Sequence, residues 1–418
     1  MSKGSLNFTT NFSWTFIAQI VYVFSQFIII TIIARLGSVA DVGQYGIVAA
    51  IVSPLQMFFL MDLNKLIVID KEISRSISHY HLSFILLGIA LPTVALLVGW
   101  IIYGSDFDLL LLILCFSLYR SAANYREYYF GLYQKVERMD LWAKSLISLS
   151  LTTVVVFSIL YYCTNVLALA FLGNCFFYLG VLFVQQKSKF VELLGTSPFK
   201  ISVSILKQKQ ILSKGVRLGA NSFFISFKSN IPKYIIEFIV KDRVFLGYYT
   251  VFSQCTNALG NVNQSLARAS IGRLKKLIDT NVNLFRNFLA KISITGVVIA
   301  LIGTITVYFL GESIVRTLFG AKYESEVYIL LLLTCSYLFV MPATYYKVAQ
   351  VILNEFNAQL YISILNVVLL IIFSLSAYYI TLDVDSVLYS LILSEIVVLI
   401  TTYYVVNKRI KSYKYERN

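Results

Sequence analysis

The chain has 418 residues, of which 58% are hydrophobic and only 13% charged, with a mean hydropathy of +0.76. Soluble domains run near half apolar and a quarter charged, so these values point to lipid as the solvent and away from a soluble enzyme. The net charge of +14 would suggest nucleic acid as the partner of a soluble protein, but here the basic residues fall in alternate loops of a membrane chain.

Apolar runs predict membrane helices over 12–34, 43–63, 82–103, 108–131, 141–163 and 166–184. A second set is predicted over 216–240, 245–266, 287–310, 325–346, 357–380 and 385–406. Each is close to the 20 or so apolar residues that a bilayer crossing needs. The first run is too long for a signal-peptide core, so it reads as a span inserted directly, without a cleaved leader. The expected fold is an all-α integral membrane protein of about 12 transmembrane helices.

Lysine and arginine gather in the even-numbered loops and the tail. Examples are Lys65, Lys71 and Arg75 in loop two, and Lys135 and Arg138 in loop four. Loop six carries Lys187, Lys189, Lys200, Lys207, Lys209 and Lys214; loop eight carries Arg273, Lys275, Lys276 and Arg286. The tail adds Lys408, Arg409, Lys411, Lys414 and Arg417. Cytoplasmic loops collect positive residues, which places both termini in the cytoplasm and requires an even number of spans.

The longest connection, 185–215, is basic and divides the spans six and six. The expected organisation is an N-terminal lobe over 1–184, a basic cytoplasmic linker over 185–215, and a C-terminal lobe with a basic tail over 216–418. VGQYGIV at 42–48 echoes LGYYTVF at 246–252, and LLLLILCFS at 109–117 echoes ILLLLTCS at 329–336. These echoes suggest two parallel six-helix repeats, and transporters built from repeats place substrate at the repeat interface.

A charge at mid-membrane costs about 2.5–3.5 kcal/mol and usually faces a cavity or a partner. The fourth span carries Ser117, Arg120, Ser121, Asn124, Glu127 and Tyr128 at helical spacing, with Arg120 near its middle. The seventh carries Ser222, Ser226, Ser229, Lys233 and Glu237, the last two spaced to pair. Lys228 lies off that stripe on a regular helix, but Pro232 is able to shift the register. The first span offers Thr15, Gln19, Tyr22 and Gln26; the eighth offers Thr250, Ser253, Gln254, Asn257, Asn261 and Gln264. Isolated polar residues suit dry helix packing, whereas four long stripes with Arg120 and Lys233 suit a water-filled, mildly cationic lumen. Arginine offers a rigid fork for phosphate and lysine a point charge, so a substrate joining sugar to phosphate fits the mixture. Candidate substrate contacts are Arg120, Asn124, Lys228, Lys233, Gln19, Gln26, Asn257 and Gln264.

Other features read as structural. Tyrosine pairs at 128–129, 161–162, 345–346, 378–379 and 403–404 suggest an interfacial belt. Pro54, Pro92, Pro232 and Pro342 fall inside spans as kinks or bending points. Five single cysteines and a loop pair, His79 and His81, give no metal or disulfide framework, and no cofactor is expected.

The chain resembles the polysaccharide-exporter branch of the multidrug/oligosaccharidyl-lipid/polysaccharide (MOP) superfamily, in particular Wzx-type O-antigen flippases. The residues that carry the resemblance are Asn11, Trp14 and Gln19, then RLGSVADVGQYG at 35–46, NIPKYIIEFIVKDRVFLGYYT at 230–250 and LFGAKYESEV at 318–327. It implies a flippase for undecaprenyl-pyrophosphate-linked oligosaccharide in the bacterial inner membrane, working by alternating access through a cationic lumen. Its implied partners are that lipid-linked sugar, membrane lipids, H+ or Na+ as coupling ion, and a polysaccharide polymerase, with no nucleic acid. Glu237, Asp62 and Glu395 are the coupling-ion candidates. The competing expectations are an ion-coupled drug or metabolite exporter of the same superfamily and a membrane polymerase or ligase. Short odd-numbered loops and the lack of a nucleophile–base set speak against an enzyme.

Overall fold

The structure is a computed structural model of the full chain, and residues 8–70, 73–194, 204–353 and 355–417 are described. Among them the ordered elements are helical. They are α1 (Phe8–Leu36), α2 (Val39–Leu60), a short α3 (Leu63–Ile69), α4 (Ile73–Tyr103), α5 (Phe107–Lys135), α6 (Met139–Thr164) and α7 (Leu167–Leu194). There follow α8 (Ile205–Ile235), α9 (Arg243–Thr280), α10 (Val282–Phe319), α11 (Val327–Ile352), α12 (Phe356–Thr381) and α13 (Ser386–Arg417). Each of the twelve expected spans falls on one of the long helices. Ten helical stretches are long and apolar enough to cross a membrane on those grounds alone. The two long helices outside that set are α8 and α9, whose polar stripes lower their hydropathy.

Helix ends follow local chemistry. Ser38 closes the N-terminus of α2 in a capping box: its backbone N–H donates to Asp41 Oδ2 at 2.7 Å, and the Asp41 N–H donates to Ser38 Oγ at 3.1 Å. Asp242 accepts from the N–H groups of Val244 and Phe245, both at 2.9 Å, and so starts α9. Two of the stretches that carry the family resemblance are thus helix starts. Asn281 alone separates α9 from α10 and caps the latter. The basic residues expected in loop eight therefore ride on helical extensions. Likewise α7 and α8 extend into 185–215; Lys200 of that stretch lies outside the described residues, as does Lys71 of loop two.

The chain divides into two compact units, residues 1–230 and 231–418, so α8 up to Asn230 groups with the first. In the first unit α5 is central: it packs on α2, α3, α4, α6 and α7, while α1 packs on α6. In the second unit α11 holds the central place, against α9, α10, α12 and α13. One apolar cluster joins Leu274, Ile278, Phe285, Leu289, Tyr345, Ala349, Val406 and Ile410 from four helices of that unit.

Between α2 and α3 the chain breaks at Met61 and Asp62, two consecutive left-handed residues with φ of 51° and 48°. Such residues cost about 1–3 kcal/mol each unless the surroundings hold them. Glycines allow that hold. A Cβ at Gly219 of α8 would run into the carbonyl oxygen of Phe58, and one at Gly131 of α5 would stand 2.7 Å from the Asn64 carbonyl oxygen. The break is clasped from both sides by backbone contact.

Two expectations are corrected. His79 and His81 are not in a loop: α4 begins at Ile73, ahead of the apolar run, and buries both, at 3% and 4% exposure. Tyr128 and Tyr129 are not belt residues, since α5 is central and encloses them, whereas Tyr162, Tyr379 and Tyr404 are exposed. Of the cysteines, Cys115 and Cys175 are buried but Cys163 is exposed.

Candidate functional site

The fourth predicted span is α5, and its polar residues divide among several neighbours rather than lining one face. Ser117 donates back to the Leu114 carbonyl at 2.9 Å. Asn124 meets α2: Gln56 Nε2 donates to its Oδ1 at 3.0 Å, and its Nδ2 donates to the Gln56 carbonyl at 3.2 Å. Tyr128 meets α4, where the His81 ring lies 5.5 Å away; His81 Nε2 is also 2.8 Å from the Tyr125 hydroxyl. Glu127 meets α3, where Asn64 Nδ2 donates to its Oε2 at 3.0 Å. The reason is α5's central position: every face of it has a neighbour.

Arg120 and Arg126 form the cationic part of the site. Arg120 stacks over Phe116 at 4.8 Å and lies 5.9 Å from the Tyr119 ring. The Tyr22 hydroxyl of α1 is in hydrogen-bonding contact with it, and Tyr45 of α2 stands near. Its Nε is buried without a hydrogen-bond partner. No carboxylate pairs with Arg120 among the described residues. Arg126 donates through Nε and Nη2 to Glu127 Oε1 at 3.2 and 2.7 Å, and through Nη1 to the Tyr178 hydroxyl of α7 at 3.2 Å. Its guanidinium sits 5.2 Å over the Tyr22 ring. Tyr22 therefore touches both guanidiniums and ties them into one cluster. Gln26, one turn on, hydrogen-bonds Tyr119.

The cluster holds two guanidiniums and one carboxylate, which pairs with Arg126 alone, so it is left with a net positive charge. Buried charges ordinarily need full pairing. An aromatic cradle stabilises a cation by its π-faces yet leaves the hydrogen-bonding edge open. A guanidinium set against aromatic rings, with its Nε–H unbonded, is suited to receive an anionic oxygen.

The remaining expected residues lie elsewhere. Gln19 is exposed on α1, and Lys228 is half-buried on α8 in the first unit. In the second unit, Lys233 is 8% exposed and has no hydrogen bond or ion pair among the described residues. It does not pair with Glu237: that carboxylate faces Arg243 Nε at 3.5 Å instead. A π-turn over Ile236–Val240 follows Pro232 and shifts the register that a regular helix would give. Asn257 and Gln264 are exposed on α9, with Asn257 Nδ2 donating to Gln254 Oε1 at 3.1 Å. Among the coupling-ion candidates, Asp62 pairs with Lys65 at 2.9 Å and accepts from Ser222 Oγ at 3.5 Å. Glu395 accepts from Asn366 Nδ2 at 3.0 Å. Among the described residues no three His, Cys, Asp or Glu side chains are grouped to hold a metal ion.

Arg126 and Asn64 escape a reading of the sequence. Arg126 is six residues from Arg120, about 120° round an ideal helix, so it falls off the stripe. Only the neighbouring Glu127 hinted at it.

Comparison with known proteins identifies the family and the fold. The model of a family described as polysaccharide biosynthesis protein matches residues 8–277. A capsular polysaccharide biosynthesis protein, CapF of Staphylococcus aureus, is 24% identical over 368 residues, covering 87% of this chain and 90% of CapF. Among solved structures, a multidrug resistance MATE family transporter of the MOP superfamily superposes with a TM-score of 0.75 at 13% identity, over 94% of this chain and 95% of that one. The lipid II flippase MurJ gives 0.70 at 16% identity, over 97% and 90%. The resemblance to the polysaccharide-exporter branch is borne out by the family match, and the expected all-α fold by these superpositions.

Proposed function

Because the chain belongs to the polysaccharide biosynthesis protein family, we propose that it is a flippase for an undecaprenyl-pyrophosphate-linked oligosaccharide. The cargo is the repeat unit of an O-antigen, capsule or similar surface polysaccharide. It moves from the cytoplasmic to the outer leaflet of a bacterial inner membrane by alternating access. The observation that carries this reading is the α5 cluster, in which Arg120 and Arg126 stand against the single carboxylate of Glu127. A diphosphate supplies the missing negative charge, and the surrounding tyrosines supply hydroxyls and ring faces suited to the first sugar. An exporter of cationic drugs would need the opposite balance, with carboxylates in excess. Both termini lie in the cytoplasm on this reading, as the charge pattern of the loops requires.

The experiment is made in cells. A strain lacking the protein accumulates complete lipid-linked repeat units on the inner leaflet and makes no surface polymer. Re-supplied Arg120→Ala inserts normally and leaves that accumulation in place. Normal polymer with Arg120→Ala removes the site from the mechanism. Accumulation of single units on the outer leaflet instead identifies a polymerase. A reporter fused at residue 418 reads cytoplasmic; an external signal overturns the orientation.

A further inference from the structure

The α5 cluster holds its two arginines differently, and the difference has a chemical consequence. Arg120 is held by rings and the Tyr22 hydroxyl, with its Nε unbonded. Arg126 spends its Nε and Nη2 on Glu127 Oε1. That edge, two parallel N–H groups, is the one a phosphate takes bidentately. The arginine is thus occupied by a built-in anion of the same kind as the ligand. Both side chains are largely enclosed, at 12% and 16% exposure, so water does little to screen the competition.

We infer that Glu127 is a displaceable occupant of the diphosphate site and that it takes up a proton when the diphosphate of the cargo binds. The inference rests on the reading that Arg120 receives that diphosphate. With the diphosphate across both guanidiniums, an ionised Glu127 would face the phosphate's negative charge at close range. Two like charges in one enclosed site drive one of them to protonate. The proton comes from solvent and goes to Oε1, the oxygen that Arg126 vacates. Oε2 keeps its bond from Asn64, so the neutral acid stays in place rather than swinging away. When the diphosphate leaves, Arg126 returns to the carboxylate and the proton is released. The exchange binds one proton with one anionic cargo and so lowers the negative charge that the enclosed site must hold.

Among the described residues no cation other than Arg126 pairs with Glu127. On its own helix it faces Arg126; from α3 it faces Asn64, which does not titrate; from α7 the Tyr178 hydroxyl stands near. Tyr22 of α1 lies against Arg126. The α4 histidine His81 and Asn124's partner Gln56 on α2 bond to other residues of α5. At the start of α3, Asp62 pairs with Lys65 and not with Glu127's partner Arg126.

The test is calorimetry on the full-length protein in lipid nanodiscs, with farnesyl diphosphate as the probe. Titrations in buffers of different ionisation heat give protons taken up per probe bound between pH 6 and 8. Wild type takes up more protons than Glu127→Gln, by as much as one per probe. Its affinity gains up to about tenfold per unit fall in pH relative to that variant. Glu127→Gln binds more tightly at pH 8, because Arg126 is no longer occupied by an anion. The probe's own titration is common to both proteins and cancels in the difference. Arg126→Met, which leaves Glu127 nothing to give up, binds more weakly and loses the extra uptake; it serves where the glutamine variant does not fold. Equal uptake in wild type and either variant, or weaker binding by Glu127→Gln, overturns the proton exchange. Arg120→Ala binding the probe as well as wild type overturns the site itself, which is a separate result.

Discussion

The two units solve the same problem differently. In residues 1–230 the polar side chains turn inward and answer one another: Gln56 with Asn124, Asn64 with Glu127, Glu127 with Arg126, and Arg126 with Tyr178. In residues 231–418 a long amphipathic helix, α9, shows Asn257 and Gln264 to the outside, while Lys233 is buried with no partner among the described residues. The first arrangement holds its side chains by several bonds at once, so that Arg126 keeps Tyr178 and Glu127 keeps Asn64 when the bond between the two is exchanged. The second offers adaptable contacts with little shape of its own. On the proposed reading, a cargo with an invariant diphosphate and variable sugars is served by one of each: a defined anion site and a permissive polar surface.

That contrast predicts a graded series of effects. The largest is expected at the α8 clasp. Gly219→Leu drives a side chain into the Phe58 carbonyl and should lower stability by about 3 kcal/mol, read as a fall in the melting temperature of the detergent-solubilised protein. An unchanged melting temperature would show that α8 does not hold the α2–α3 break.

Next comes Lys233→Met. Removing an unpaired buried ammonium should raise stability by about 2 kcal/mol in the same measurement. Diphosphate binding should persist, because the site sits on α5. A stability loss would mean that Lys233 has a partner in the working protein.

A smaller loss, about 1.5 kcal/mol, is expected for Asn124→Ala, which leaves Gln56 Nε2 unsatisfied beside α5. The double change Asn124→Leu with Gln56→Leu should recover most of it, and failure to recover would assign the pair a role beyond packing. The smallest effect belongs to Asn257→Ala with Gln264→Ala. Both residues are exposed, so stability should move by less than about 0.5 kcal/mol. Flipping rates of cells should fall only with some repeat units, as a permissive surface implies; an equal fall with every repeat unit would make α9 part of the common site.

How far the molecule was legible depended on whether a signal was local. Helices were: each long helix covers a predicted apolar run, because lipid exposure forces continuous hydropathy. Helix ends were less so. The extensions of α4, α7 and α9 are polar and invisible to hydropathy, which is why His79 and His81 were misplaced. Arg120 was legible as a mid-span charge with no local excuse. Arg126 was not, because its importance comes from Tyr178 of α7 and Asn64 of α3. The spacing of Lys233 and Glu237 misled because a π-turn has no simple sequence mark. Gly219 was present in the sequence, but its meaning depends on the Phe58 backbone that crosses it.

The central claim is that the first unit carries the anion site and the second does not. Binding of farnesyl diphosphate by the purified full-length protein tests it most directly, with Arg120→Ala compared against Lys233→Met. Loss of a charge-assisted arginine contact is worth about 1.5–3 kcal/mol, so Arg120→Ala should weaken binding by at least about tenfold. Lys233→Met should bind as wild type does. The reverse result, with Arg120→Ala unaffected and Lys233→Met impaired, would contradict the account and move the anion site into the second unit.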